Sequence, residues 1–65
     1  MEIIVNGESE EVAAGKKLAE FLAAKDLKLS EIVVEYNHKI IKADKWQHTI
    51  LTQRDQFEIL QFVGG

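Results

Sequence analysis

The chain runs through the apolar stretch "EILQFV" straight into Gly64 and Gly65 and stops there. Given a glycine frequency of about 7%, two specified glycines fall together by chance in roughly 0.5% of chains, so the ending is read as a signal. A terminal carboxylate, with an unperturbed pKa of roughly 3.3–3.7, is ionised at neutral pH and inert toward nucleophiles. It becomes an electrophile once another enzyme activates it, for instance as an acyl adenylate. Glycine, having no Cβ, can pass through a channel too narrow for any other residue. The ending therefore reads as a substrate tail. Val63 and Gly64 would thread a partner's active site, and the Gly65 carboxylate would react there. Nothing beyond the preceding strand can hold these residues by packing, so they are expected to be flexible in the free protein.

No other set of side chains suggests chemistry. His38 and His48 lack a cysteine, a matching carboxylate spacing or a second histidine at helical spacing, and zinc needs three or four ligands. Both read as surface residues, and no metal site is expected. Glu10 and Glu11 sit in a stretch with no sign of a pocket, and a chain of 65 residues has little room for a concave site. Cysteine is absent, which excludes disulfides, thiolate metal sites and any sulfur carried on a cysteine of this chain. Trp46 is more simply a core plug than a stacking platform for a ligand. The expectation is a protein with no catalytic residue and no bound cofactor, acted upon by enzymes.

Composition narrows the classes further. The hydrophobic content of 46% is that of a globular domain. A net charge of -3 with no arginine-rich block argues against nucleic acid as a partner. No apolar stretch approaches the ~18 residues of a membrane span, and "MEIIVNGE" lacks a signal-peptide pattern. The expected compartment is the cytoplasm, and the expected organisation is one domain over residues 1–65.

The tail must be presented by a scaffold, and the periodicities describe one. "EIIV" followed by Asn6-Gly7 reads as a strand entering a tight hairpin, because Asn-Gly accepts the positive φ of a type I′ turn. Alternation places Ile3 and Val5 on one face and Ile4 on the other. "ESEEV" returns as a polar edge strand, with Val12 directed toward the core. Ala14, Leu18, Phe21, Leu22 and Lys25 then fall at helical spacing, predicting a helix from about Gly15 to Lys25. Leu27 and Leu29 would tuck under its end. Strands are expected over Ile32–Tyr36 and Ile40–Lys42 around a turn at Asn37–Lys39. A connector with one helical turn carries Trp46 and Leu51 inward, and "FEILQFV" is the last strand. The order predicts an α+β fold of the β-grasp (ubiquitin-like) type: a mixed sheet of four or five strands with one main helix across one face. Its terminal strands would run parallel in the middle of the sheet, joined by a right-handed crossover. The expected core is Ile3, Val5, Leu18, Phe21, Leu22, Ile32, Val34, Tyr36, Trp46, Leu51, Phe57 and Ile59. If Phe57 and Ile59 face the helix, then Leu60 and Phe62, with Ile4 and Val33 beside them, form a partner-docking patch on the opposite face.

These motifs together resemble the ThiS family, the ubiquitin-like sulfur carriers of thiamine biosynthesis. The family's central strand reads like VxVELNGEIV, followed by a Trp-containing connector and a closing strand that ends in Val-Gly-Gly. Here Val34 through Ile41 ("VEYNHKII"), Trp46 and Leu51 through Gly65 ("LTQRDQFEILQFVGG") correspond, as does the opening "IIVNG". The resemblance covers essentially the whole chain. It implies that an E1-like adenylating enzyme uses ATP to activate the Gly65 carboxylate. The product is converted to a thiocarboxylate with sulfur from a donor such as a cysteine desulfurase, and thiazole synthase receives that sulfur. The protein would then be a co-substrate and not an enzyme. His38 stands where the family's turn has Gly, Lys42 where Pro is common, and Arg54 where Gly precedes Asp55. The first and last bear on turn geometry, and a different turn type is expected at Asn37 or Arg54. Other readings stay open on sequence: the small sulfur-carrier subunit of molybdopterin synthase, a ubiquitin-like protein modifier, and a non-covalent interaction module.

Overall fold

Asn6 and Gly7 both take positive φ, 51° and 81°, so the opening strand β1 (Glu2–Val5) reverses at once into β2 (Glu8–Glu11). The computed structural model describes residues 1–62. After the hairpin come helix α1 (Leu18–Ala23), a 3-10 turn at Leu29–Glu31, strands β3 (Ile32–Tyr36) and β4 (Lys39–Ile41), the single turn α2 (Ala43–Trp46) and strand β5 (Gln56–Gln61). The five strands lie in the order β2-β1-β5-β3-β4. β1 and β5 pair in parallel at the centre, and the other pairings are antiparallel. The mixed sheet with a helix over one face is the β-grasp arrangement expected from the sequence. β2, with its three glutamates, is an edge, where charge discourages pairing with another chain.

The helix is shorter than its periodicity suggests. Gly15 turns at φ 83°, and Lys17 is extended and bridges to Ile50. Backbone pairing therefore claims residues 15–17, and α1 begins only at Leu18, with Lys17 N–H donating to Glu20 Oε1 at 3.0 Å. Six residues are too few to be helical alone. Burial of Leu18, Phe21 and Leu22 holds them. At the far end Lys25 Nζ reaches Glu10 Oε1 at 2.6 Å and lies 4.8 Å from the centre of the Phe21 ring, tying helix to hairpin.

Ten of the twelve expected core residues are buried, and Tyr36 and Ile59 are half-buried against them. Both lie on the rim, Tyr36 stacking on Phe57 with ring centres 5.0 Å apart. Val12 and Leu27 also pack on the core. Leu29 does not: it opens the 3-10 turn and stays exposed. β4 starts one residue earlier than expected, at Lys39, because Asn37 and His38 form a two-residue turn with φ of 48° and 73°. That is the same left-handed pair of conformations as at Asn6-Gly7, so histidine here adopts backbone that glycine favours. Arg54 does likewise at φ 68°. Among the described residues no helix is long and apolar enough to cross a membrane.

Candidate functional site

β5 leads to the tail, and its position decides what surrounds it. Its start is held by a buried carboxylate. Asp55 accepts from Thr52 N–H and from the Thr52 hydroxyl, both at 2.8 Å, and from the Tyr36 hydroxyl at 3.3 Å. Burial pushes the Tyr36 phenol above its ordinary pKa, and the nearby Asp55 charge adds to the effect. Asp55 is the one polar side chain buried among the described residues. Sequence reasoning did not single it out, although Thr and Asp three apart before a strand is a turn signal. Two asparagines then fasten β5 laterally. Asn37 Oδ1 accepts from Gln56 N–H at 3.0 Å, and Asn6 Oδ1 accepts from Ile59 N–H at 2.7 Å.

Phe57 points into the core, so alternation sends Glu58, Leu60 and Phe62 to the face away from α1. Leu60 and Phe62 are 53% and 46% exposed. Val33 lies directly across from Leu60 on β3, which joins three of the four expected docking residues in one strip. Ile4 is not among them. It pairs with Gln56, four residues before Leu60, hence about 13 Å away along the strand. β1 ends before it can reach the Leu60 row. Ile40, 69% exposed on β4 and paired with Glu35, is the nearer apolar neighbour, one the sequence did not mark as part of the patch. Glu35 and Glu58 face each other across β3 and β5 on this same surface. Like charges in direct opposition are unfavourable, and among the described residues neither forms an ion pair.

His38 and His48 are both exposed, and among the described residues no group of three or more His, Cys, Asp or Glu side chains is arranged to hold a metal. Trp46 is buried and donates its indole N–H to the Ile41 carbonyl at 3.1 Å, the core role expected of it. The residues assigned to threading and reaction, Val63, Gly64 and Gly65, lie outside the described residues.

Comparisons with known proteins can be set beside this geometry. The sequence model of the ThiS family matches residues 3–65. The fold is similar to a crystal structure of a thiamine biosynthesis protein (ThiS) from Geobacter metallireducens, with a TM-score of 0.87, 29% identity, and coverage of 100% of this chain and 99% of that one. It is also similar to a solution NMR structure of a thiamine biosynthesis protein from the same organism, with a TM-score of 0.80, 29% identity, and coverage of 100% and 87%. A search of curated proteins finds no match.

Proposed function

Because the chain belongs to the ThiS family, we propose that it is a sulfur carrier of thiamine biosynthesis whose working group is the Gly65 carboxylate. The observation that carries this reading is that the family model matches residues 3–65, the closing glycines included, through a strand whose outer face is apolar and exposed at Leu60 and Phe62. A carboxylate oxygen of Gly65 attacks the α-phosphorus of ATP and displaces pyrophosphate, giving an acyl adenylate. Hydrosulfide then adds to the acyl carbon and AMP leaves as the acyl C–O bond breaks, so that a thiocarboxylate results with no change of oxidation state. A persulfide donor reaches the same product only with a thiol to reduce the S–S bond of the acyl disulfide. Thiazole synthase takes the sulfur from there. The chain supplies the carboxylate, the two residues that carry it into the enzyme, and the surface by which it is held. The adenylating enzyme binds ATP and supplies the catalytic groups.

Each part of the tail has a separate requirement. Removing Gly65 draws the carboxylate back by up to ~3.6 Å, and errors of even 1 Å in a reacting group can cost about 100-fold in rate. Gly64→Val leaves the carboxylate in place and obstructs the channel instead. Both variants should fold as the parent chain does and fail in ATP–pyrophosphate exchange with the cognate adenylating enzyme. Intact-mass measurement after incubation with ATP, that enzyme and a sulfur source should show one carboxylate oxygen replaced by sulfur. Normal exchange by the chain lacking Gly65 would refute the carrier reading. Adducts on target lysines in place of a thiocarboxylate would mark a protein modifier.

A further inference from the structure

Successive residues of β5 turn their backbone groups to opposite neighbours. The Gln56 carbonyl accepts from Asn37 N–H, and Phe62 N–H donates to the Glu31 carbonyl, both at 2.8 Å. Even-numbered residues therefore face β3. On the other side the Phe57 carbonyl accepts from Asn6 N–H at 2.8 Å. Ile59 is satisfied by the Asn6 side chain, donating to Oδ1 at 2.7 Å and accepting from Nδ2 at 3.4 Å. Odd-numbered residues face β1. But β1 stops at Val5 and reverses, and Asn6 stands in for one more strand position only. Gln61 is the next odd residue. It pairs with Ile32 across β3 as a non-hydrogen-bonded pair, since the bonds on either side belong to residues 60 and 62. Among the described residues its N–H and carbonyl have no partner.

A strand in the middle of the sheet thus has one open edge, confined to its last residue before the tail. Unpaired main-chain groups on a strand edge are a template for another strand. The vacant row is bordered by a groove whose walls include Val5, Asn6, Leu27 and Ile59. We propose that this edge is a β-augmentation site, filled by an extended backbone segment of the adenylating enzyme. A carbonyl of that segment accepts from Gln61 N–H, and one of its amides donates to the Gln61 carbonyl. The partner is named on geometry together with the carrier reading, on which this inference rests. Three residues span at most about 11 Å, so an enzyme enclosing residues 63–65 must bring its wall alongside Gln61. A side chain could meet one of the two groups. A strand meets both in the plane of the sheet.

The test is a chemically synthesised chain N-methylated at Gln61. The methyl removes the donor and blocks the edge, and it leaves the β3 side of the ladder untouched, so circular dichroism and the unfolding midpoint should match the parent. Two backbone hydrogen bonds are worth about tenfold in affinity, so the KM for this chain in pyrophosphate exchange should rise about tenfold or more. The rate at saturation should stay within about twofold of the parent, because the reacting group is untouched. Gln61→Ala, which keeps the backbone, should leave KM unchanged. In the unmodified chain, hydrogen exchange read by NMR should show the Gln61 amide gaining protection when the enzyme binds. An unchanged KM for the N-methylated chain, or no gain in protection, overturns the strand docking and leaves the carrier reading standing. Absence of exchange by the unmodified chain overturns both the carrier reading and the partner named here.

Discussion

His38 and Arg54 carry side chains on backbone that suits glycine, with φ of 73° and 68°. The left-handed conformation costs an L-residue about 1–2 kcal/mol, and glycine's greater freedom in the unfolded chain returns about 0.5–1 kcal/mol of that. Arg54→Gly keeps the 2.7 Å bond from its N–H to the Glu2 carbonyl. It is expected to stabilise the chain by about 0.5 kcal/mol, a few degrees in Tm for a domain of this size, as is His38→Gly. Differential scanning calorimetry would check both. Tyr36 sets a second expectation. Its phenol is pushed up by burial and by Asp55, so the folded chain holds that proton more tightly than the unfolded chain. The resulting stability is complete below the ordinary tyrosine value near 10 and is lost as pH rises through the raised folded value. Tyr36→Phe should therefore flatten the fall in urea midpoint above about pH 10. At neutral pH it should cost only the weak 3.3 Å bond, about 0.5 kcal/mol.

Among the elements, α1 depends most on its neighbours. Leu18 is fully buried on a six-residue helix, and Leu18→Ala should cost about 2–5 kcal/mol. That is a large share of the 5–15 kcal/mol typical of a native domain, so a denaturation curve should show a largely or partly unfolded chain at 37 °C. The side-chain pattern around this helix was legible in the sequence: Leu18, Phe21 and Leu22 repeat at its period, and Asn6-Gly7, the polar β2 and the alternation in β3 read directly as hairpin, edge and strand. Its boundaries were not, because the Lys17–Ile50 bridge that shortens it joins residues far apart in the chain. The candidate site divides along the same line. Leu60, Phe62 and Val33 follow from alternation and pairing. The separation of Ile4 depends on the register of β1 against β5, and the open edge at Gln61 on the point where β1 stops. Neither has a local signal. Asp55 was missed for a related reason: a turn pattern shows that a carboxylate can cap a loop, but not that the loop will be buried against Tyr36.

Under the proposed carrier function, the work of the whole molecule divides between a folded body that binds and a tail that reacts. Ordering each tail residue in an enzyme costs about 1–2 kcal/mol of backbone entropy, roughly 3–6 kcal/mol for three residues. Two glycines offer little surface with which to recover it, so contacts on the body must do so. The strip of exposed Leu60 and Phe62 with half-buried Val33 on the open sheet face is where those contacts are expected. Leu60→Asp and Phe62→Asp, at positions already in solvent, should leave the chain folded. They should raise the Kd for the adenylating enzyme by about tenfold or more, since a buried unpaired charge is costly at an interface. Calorimetric titration would show it, and parent-like affinity for both variants would rule the strip out. The same balance makes a stronger demand. A synthetic peptide of residues 57–65 carries the same tail, carboxylate and apolar side chains, but nothing holds it as a strand. It must meet the ordering cost of the former β5 residues as well as that of the tail. An extra cost of even 4 kcal/mol is about a 1,000-fold loss of affinity. The peptide should therefore be adenylated only at concentrations far above those that saturate the enzyme with the intact protein. Pyrophosphate exchange against peptide concentration is the measurement. A KM close to that of the folded chain would mean that the enzyme reads the tail alone and that the sheet contributes nothing to recognition.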